Sequence, residues 1–93
     1  VAANDTGVYA ISVAAAMVSM EVQNLRVYER RGLLTPDRTA GGTRLYSPDD
    51  VERLGRIRTL LAEGLNLAGV ARVLELEDEV TRLRARLARR HSA

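Results

Sequence analysis

Arginine and tyrosine recur in two short clusters suited to gripping a polyanion. The run Leu25-Arg26-Val27-Tyr28-Glu29-Arg30-Arg31-Gly32-Leu33 holds the first, and Arg44-Leu45-Tyr46 holds the second. At the helical period Leu25 and Tyr28 share one face, while Arg26 and Arg30 lie one turn apart on another, so an apolar stripe and a cationic stripe occupy one short helix. The second cluster alternates by two, which sends Arg44 and Tyr46 to the same side of a strand, and Ala40-Gly41-Gly42 before it is a hairpin turn signal. A helix and a hairpin that both end in arginine and tyrosine are explained together by a phosphate backbone: they read as the recognition helix and wing of a DNA-binding domain.

Other chemistry lacks its residues. His91 is the only histidine and sits near the end of the sequence, so a nucleophile, a base and an orienting group cannot be assembled around it. Glu75 and Glu79 are one turn apart, but two surface carboxylates without histidine or cysteine are an unconvincing cation site. Absence of cysteine excludes disulfides, thiolate metal sites and thiol redox chemistry. The reading therefore predicts no enzyme, no metal and no cofactor. Charge interrupts every apolar run, which argues against a membrane span, and the start lacks the layout of a secretory signal, so a cytoplasmic protein is expected. The net charge of +2 is uninformative, because a groove binder needs its charge placed rather than summed.

The elements that would position these clusters follow from periodicity and caps. With 93 residues the chain makes one small domain, or a smaller one plus an extension. Residues 1–8 have no periodicity and are expected to be a flexible start. Ser12 is a candidate N-cap for a short Ala-rich helix with Ile11, Ala15 and Met17 available to a core. That helix is expected to end near Ser19, and Glu21 to Arg31 forms the second, closed by Gly32. Leu34 to Arg38 and Thr43 to Tyr46 read as the strands of the wing. Ser47-Pro48-Asp49-Asp50 is a capping-box start for a third helix, with Val51, Leu54, Ile57, Leu60 and Leu61 on its apolar face until Gly64. Asn66 caps a fourth helix running from Leu67 to about Arg90.

Within that helix Val73, Leu76, Val80, Leu83 and Leu87 are spaced three, four, three, four, the seam of a coiled coil. Glu75, Glu77, Asp78 and Glu79 crowd its first half, and Arg82, Arg84, Arg86, Arg89 and Arg90 its second. Reversed pairing lays each acidic half along a basic half, so an antiparallel homodimer is expected. The same gradient also suits the helix dipole. The predicted fold is mainly α: a winged helix-turn-helix domain over residues 9–65, a dimerisation helix over 66–90 forming an antiparallel coiled coil, and a flexible end over 91–93.

These residues bring the chain to a family. Ile11-Ser12, Leu25-Arg26, Tyr28-Glu29, Gly32-Leu33 and Arg44-Leu45-Tyr46 resemble the MerR family of transcription regulators, and the likeness covers about residues 9–90. Ile11-Ser12-Val13-Ala14-Ala15, Arg38-Thr39-Ala40-Gly41-Gly42, Tyr46-Ser47, Asn66-Leu67-Ala68-Gly69-Val70 and Glu75-Leu76-Glu77 look like its heat-shock repressor (HspR-like) branch. The sequence departs from the family at Ser19, where glycine is common, at Val22, where proline often opens the second helix, and at Val27, where an aromatic often precedes Tyr28. Metal- and redox-sensing branches use cysteines, and drug-sensing branches append a ligand domain, so no small-molecule sensor is expected here.

The resemblance implies roles. Gln23, Asn24 and Arg26 would enter the major groove, where Gln or Asn can read adenine and Arg can read guanine. The Tyr28 hydroxyl, Arg30, Arg38, Thr43, Arg44 and Tyr46 would hold the DNA backbone, and the Ser12 hydroxyl would lie near phosphate. An isolated arginine is more often a solvated charge, and Ser12 is explained by capping alone. The branch resemblance further implies an Hsp70-type chaperone as co-repressor. A competing reading is a MerR-like chaperone modulator, an adaptor that binds a co-chaperone in place of DNA; the wing discriminates, since such an adaptor has no need of Arg44 and Tyr46 on the side of Arg26.

Overall fold

The chain enters its first helix from an extended Tyr9, which pairs with Tyr46 in an antiparallel bridge. The computed structural model describes residues 4–92. Helix α1 spans Ile11–Met17, α2 Val22–Arg30, α3 Pro48–Ala62 and α4 Leu67–Ser92; strands β1 (Asp37–Arg38) and β2 (Arg44–Leu45) form a hairpin between α2 and α3. The protein is thus mainly helical, with α1 packed on α2 and α3 on α4.

Several starts and stops fall where local chemistry requires them. Ser47 opens α3 with a complete capping box: its Oγ accepts from the Asp50 amide at 2.9 Å, and its own amide donates to Asp50 Oδ2 at 2.9 Å. Asn66 Oδ1 accepts from the Gly69 amide at 2.8 Å, capping α4. Gly32 follows α2 at a φ of 75°, a left-handed conformation that costs glycine least. These three features match the sequence reading.

Five expectations are corrected. Ser12 does not cap α1; the N-cap is Ala10, because the Tyr9–Tyr46 bridge holds the chain extended up to that residue and the helix starts immediately after it. Met17 faces outward, and Ala14 and Val18 enter the core in its place, beside the expected Ala15. The strands are shorter than expected: Pro36 cannot donate to a ladder, so β1 begins at Asp37, and Tyr46 leaves the hairpin to pair with Tyr9. The supposedly flexible start is tied down from residue 4 onward. Asn4 accepts from the Asp49 amide, Gly7 donates to Asp37 Oδ2 at 2.8 Å, and Val8 donates to the Tyr46 carbonyl. Gly7 has no room for a side chain, since a Cβ there would lie 2.5 Å from the Leu45 carbonyl oxygen. Residues 1–3 of that expected start lie outside the described residues. At the other end α4 continues through His91 to Ser92, past the expected stop at Arg90.

The core joins all parts of the fold. Leu25 and Tyr28 from α2, Leu33 and Leu34 after it, Tyr46, and Leu54, Ile57 and Leu60 from α3 meet Val70 and Leu74 of α4. Burying each such side chain contributes about 1.5–3 kcal/mol, which is how helices of 7 and 9 residues persist when neither would hold alone. Arginines of α3 stitch the rim. Arg53 donates from Nε to the Leu33 carbonyl and pairs with Asp78 at 3.1 Å, Arg56 grips Glu77 at 2.7 Å, and Arg58 donates to the Val18 carbonyl at 3.3 Å.

Candidate nucleic-acid interface

Helix α2 turns its apolar stripe inward and leaves Gln23, Asn24, Arg26 and Arg30 exposed. Neither Arg26 nor Arg30 has an ion-pair partner among the described residues, so their guanidinium donors stay available. Ser12 is exposed on α1, and the position it holds is the second helical residue. These side chains could meet a duplex lying across α1 and α2.

The wing is fixed to α2 by a residue that the sequence reading left without a role. Glu29 Oε2 accepts from Arg38 Nη2 at 2.8 Å, and Glu29 Oε1 accepts from Arg44 Nε. Arg38 and Arg44 are direct cross-strand partners in the hairpin, so the carboxylate separates two like charges that would otherwise repel. Burial by itself would raise the Glu29 carboxyl, but the hydrogen bonds and charges of Arg44 and Arg38 outweigh it and hold it below the usual carboxylate value. It is therefore ionised at neutral pH. Arg38 also donates from Nη1 to the Gly42 carbonyl at 3.0 Å, linking the clamp to the hairpin tip. There the Thr43 amide donates to Thr39 Oγ1 at 3.1 Å, leaving the Thr43 side chain exposed. Glu29 sits within the Tyr28-Glu29-Arg30 run, but nothing in its spacing says that it reaches two residues on a hairpin.

The two tyrosines require correction. Tyr46 does not point with Arg44 toward a ligand: it is 0% exposed and belongs to the core. Its hydroxyl is the one buried side-chain polar atom without a hydrogen-bond partner among the described residues. Alternation along a strand places Tyr46 on a face but does not say which face is covered, and the hydrophobic core covers this one. Burial, and after it the charge of Glu29, raises the Tyr46 phenol above its ordinary value. Tyr28 is only 5% exposed, so its ring packs inside and the little surface it keeps is all that could meet phosphate.

The seam of α4 is mostly open. Leu76, Val80, Leu83 and Leu87 are 44%, 43%, 48% and 55% exposed, an apolar row on a helix that leaves the core after Leu74. Val73 differs from the other four: it is half-buried against the core and so begins the row inside the domain. No helix among the described residues is long and apolar enough to cross a membrane.

Comparison with known proteins gives a consistent result. A profile described as the MerR HTH family regulatory protein matches residues 9–77. A heat shock protein named HspR in Streptomyces coelicolor is 52% identical over 85 residues, covering 90% of this chain and 56% of that protein. A lead(II)-bound transcription regulator from Ralstonia metallidurans has a TM-score of 0.71 and 30% identity, over 91% of this chain and 73% of that one. HiNmlR, a MerR family regulator lacking the sensor domain and bound to promoter DNA, matches in fold with a TM-score of 0.67 at 22% identity, over 87% of this chain and 74% of that one. The chain spans little more than half the length of curated relatives it matches, such as HspR.

Proposed function

The chain belongs to the MerR family of helix-turn-helix regulatory proteins, and we propose that it is a sequence-specific DNA-binding repressor of stress and chaperone genes, acting in the cytoplasm as a homodimer on an inverted-repeat operator. The observation that carries this reading is the exposed row Gln23, Asn24 and Arg26 on α2, with the wing arginines tied to that same helix through Glu29. Gln23, Asn24 and Arg26 read base edges; Arg30, Arg38, Thr43, Arg44 and Ser12 hold the backbone, with a marginal contact from Tyr28. Tyr46 acts from the core by holding β2 against Tyr9. The open row on α4 supports pairing with a second copy, and the charge gradient along that helix supports the antiparallel arrangement.

Repression and its targets are supported by the likeness to the heat-shock branch, which also supports an Hsp70-type chaperone as co-repressor. The adaptor reading is the weaker one, because it assigns no work to the exposed polar row of α2 or to the wing clamp. Binding to a duplex carrying the region upstream of the gene for this protein separates the two. Affinity should fall steeply with salt, with a log–log slope of about −0.9 for each phosphate neutralised. Arg26→Ala should cost about 1–3 kcal/mol on that duplex and relax preference at one base pair. An absence of salt-dependent binding would support the adaptor; equal loss on matched and mismatched sites would leave Arg26 a phosphate clamp.

A further inference from the structure

Glu29 joins three elements through one carboxylate, and the geometry suggests more than adhesion. Its two oxygens are divided between two arginines, Oε1 to Arg44 and Oε2 to Arg38, and those arginines are opposite one another across the hairpin. The Glu29 side chain is 18% exposed, Arg44 29% and Arg38 46%, so the shared anion lies beneath while the cations reach the surface. An arginine has five N–H donors in a rigid fork. Arg44 engages Glu29 through Nε, which leaves both of its Nη groups without a hydrogen-bond partner among the described residues; Arg38 uses one donor on each Nη and keeps the others. The clamp thus presents a preset pair of outward guanidiniums at a fixed offset from α2. Its net charge is only +1, because the carboxylate cancels one of the two cations.

We propose that Glu29 is a positioning residue for DNA discrimination: it sets the wing arginines in register with Gln23, Asn24 and Arg26, while its negative charge restrains their general attraction for DNA. This rests on the DNA-binding reading above and deepens it. A phosphate contact made by a loose wing tolerates many positions of the protein on the duplex. One made by a wing locked to the recognition helix tolerates few, so backbone grip and base reading succeed or fail together. Removing the carboxylate should therefore lower affinity for the preferred sequence while affinity for an unrelated one holds or rises, an outcome that loss of packing would not produce.

The test uses Glu29→Gln, which keeps the size of the side chain and removes its charge. Two duplexes of equal length and composition serve as probes, one selected by the wild-type chain from a random-sequence pool and one scrambled. Thermal melts of all variants fix a temperature at which each is folded. For Glu29→Gln the ratio of selected to scrambled affinity should fall about tenfold, the discrimination of roughly one base pair. Affinity for the scrambled duplex should hold or rise. In an Arg38→Ala/Arg44→Ala background, adding Glu29→Gln should change the ratio by less than twofold, because both groups through which Glu29 acts are gone. A parallel loss on both duplexes, or an unchanged ratio, would overturn the positioning role while leaving DNA binding intact. Failure of the wild-type chain to enrich or bind any duplex would instead overturn the DNA-binding reading, and this inference with it.

Discussion

Ser19 occupies the joint between α1 and α2 at a φ of 55°, the only left-handed residue other than glycine among those described. An L side chain pays about 1–2 kcal/mol for that conformation, part of which glycine returns through its freer unfolded state. Ser19→Gly should therefore raise stability by about 1 kcal/mol and Tm by roughly 4–8 °C, measured by thermal melting, with no change in DNA affinity. A decrease in Tm would mean that the serine hydroxyl does something the backbone angle does not reveal. The sequence exposes this site by comparison with a family that favours glycine there. Residue types and spacing also placed Leu25 and Tyr28 in the core and left Arg26 outward. They could not show that Tyr46 is enclosed, because period-two alternation is symmetric between a covered and an open face. Nor could they single out Glu29, whose partners lie 9 and 15 residues away on a different element.

Among the elements, legibility followed local chemistry. The start of α3 and the capping of α4 were readable, because a capping box and an Asn cap are satisfied within a few residues of themselves. The start of α1 was not: Ser12 has the right side chain, but a long-range bridge from Tyr9 decides where that helix begins. Helix α4 combines both cases. Its 26 residues give a rod of about 39 Å whose first turns, with Val70 and Leu74, belong to the domain. Beyond them the row from Leu76 to Leu87 has no cover among the described residues, so a helix folded back on its own domain does not account for the pattern. If that row is the dimer seam, Leu83→Asp should give monomers by light scattering and abolish tight operator binding. The domain itself should stay folded by circular dichroism, because Leu83 lies outside the buried core. An intact dimer in that variant would remove the seam from the dimer interface.

For the whole molecule, shape and symmetry bear on the same question. The principal extents of 44 × 35 × 20 Å reflect a winged domain with one long helix projecting from it. Two such protomers paired through reversed α4 helices are related by a two-fold axis, which presents both α2 helices to one face of a duplex and predicts an operator that is an inverted repeat. Within each protomer, α1, α2 and the wing are held as one unit by the core and by Glu29, so each half-site should be read as a block. The most direct test is selection of duplexes from a random-sequence pool by the wild-type chain, with sequencing of the enriched population. The predicted result is a two-fold symmetric consensus, its half-sites at a single fixed spacing, lost when Leu83→Asp is used for the selection. A single unsymmetric site of equal affinity for the wild type and Leu83→Asp would contradict a DNA-reading homodimer.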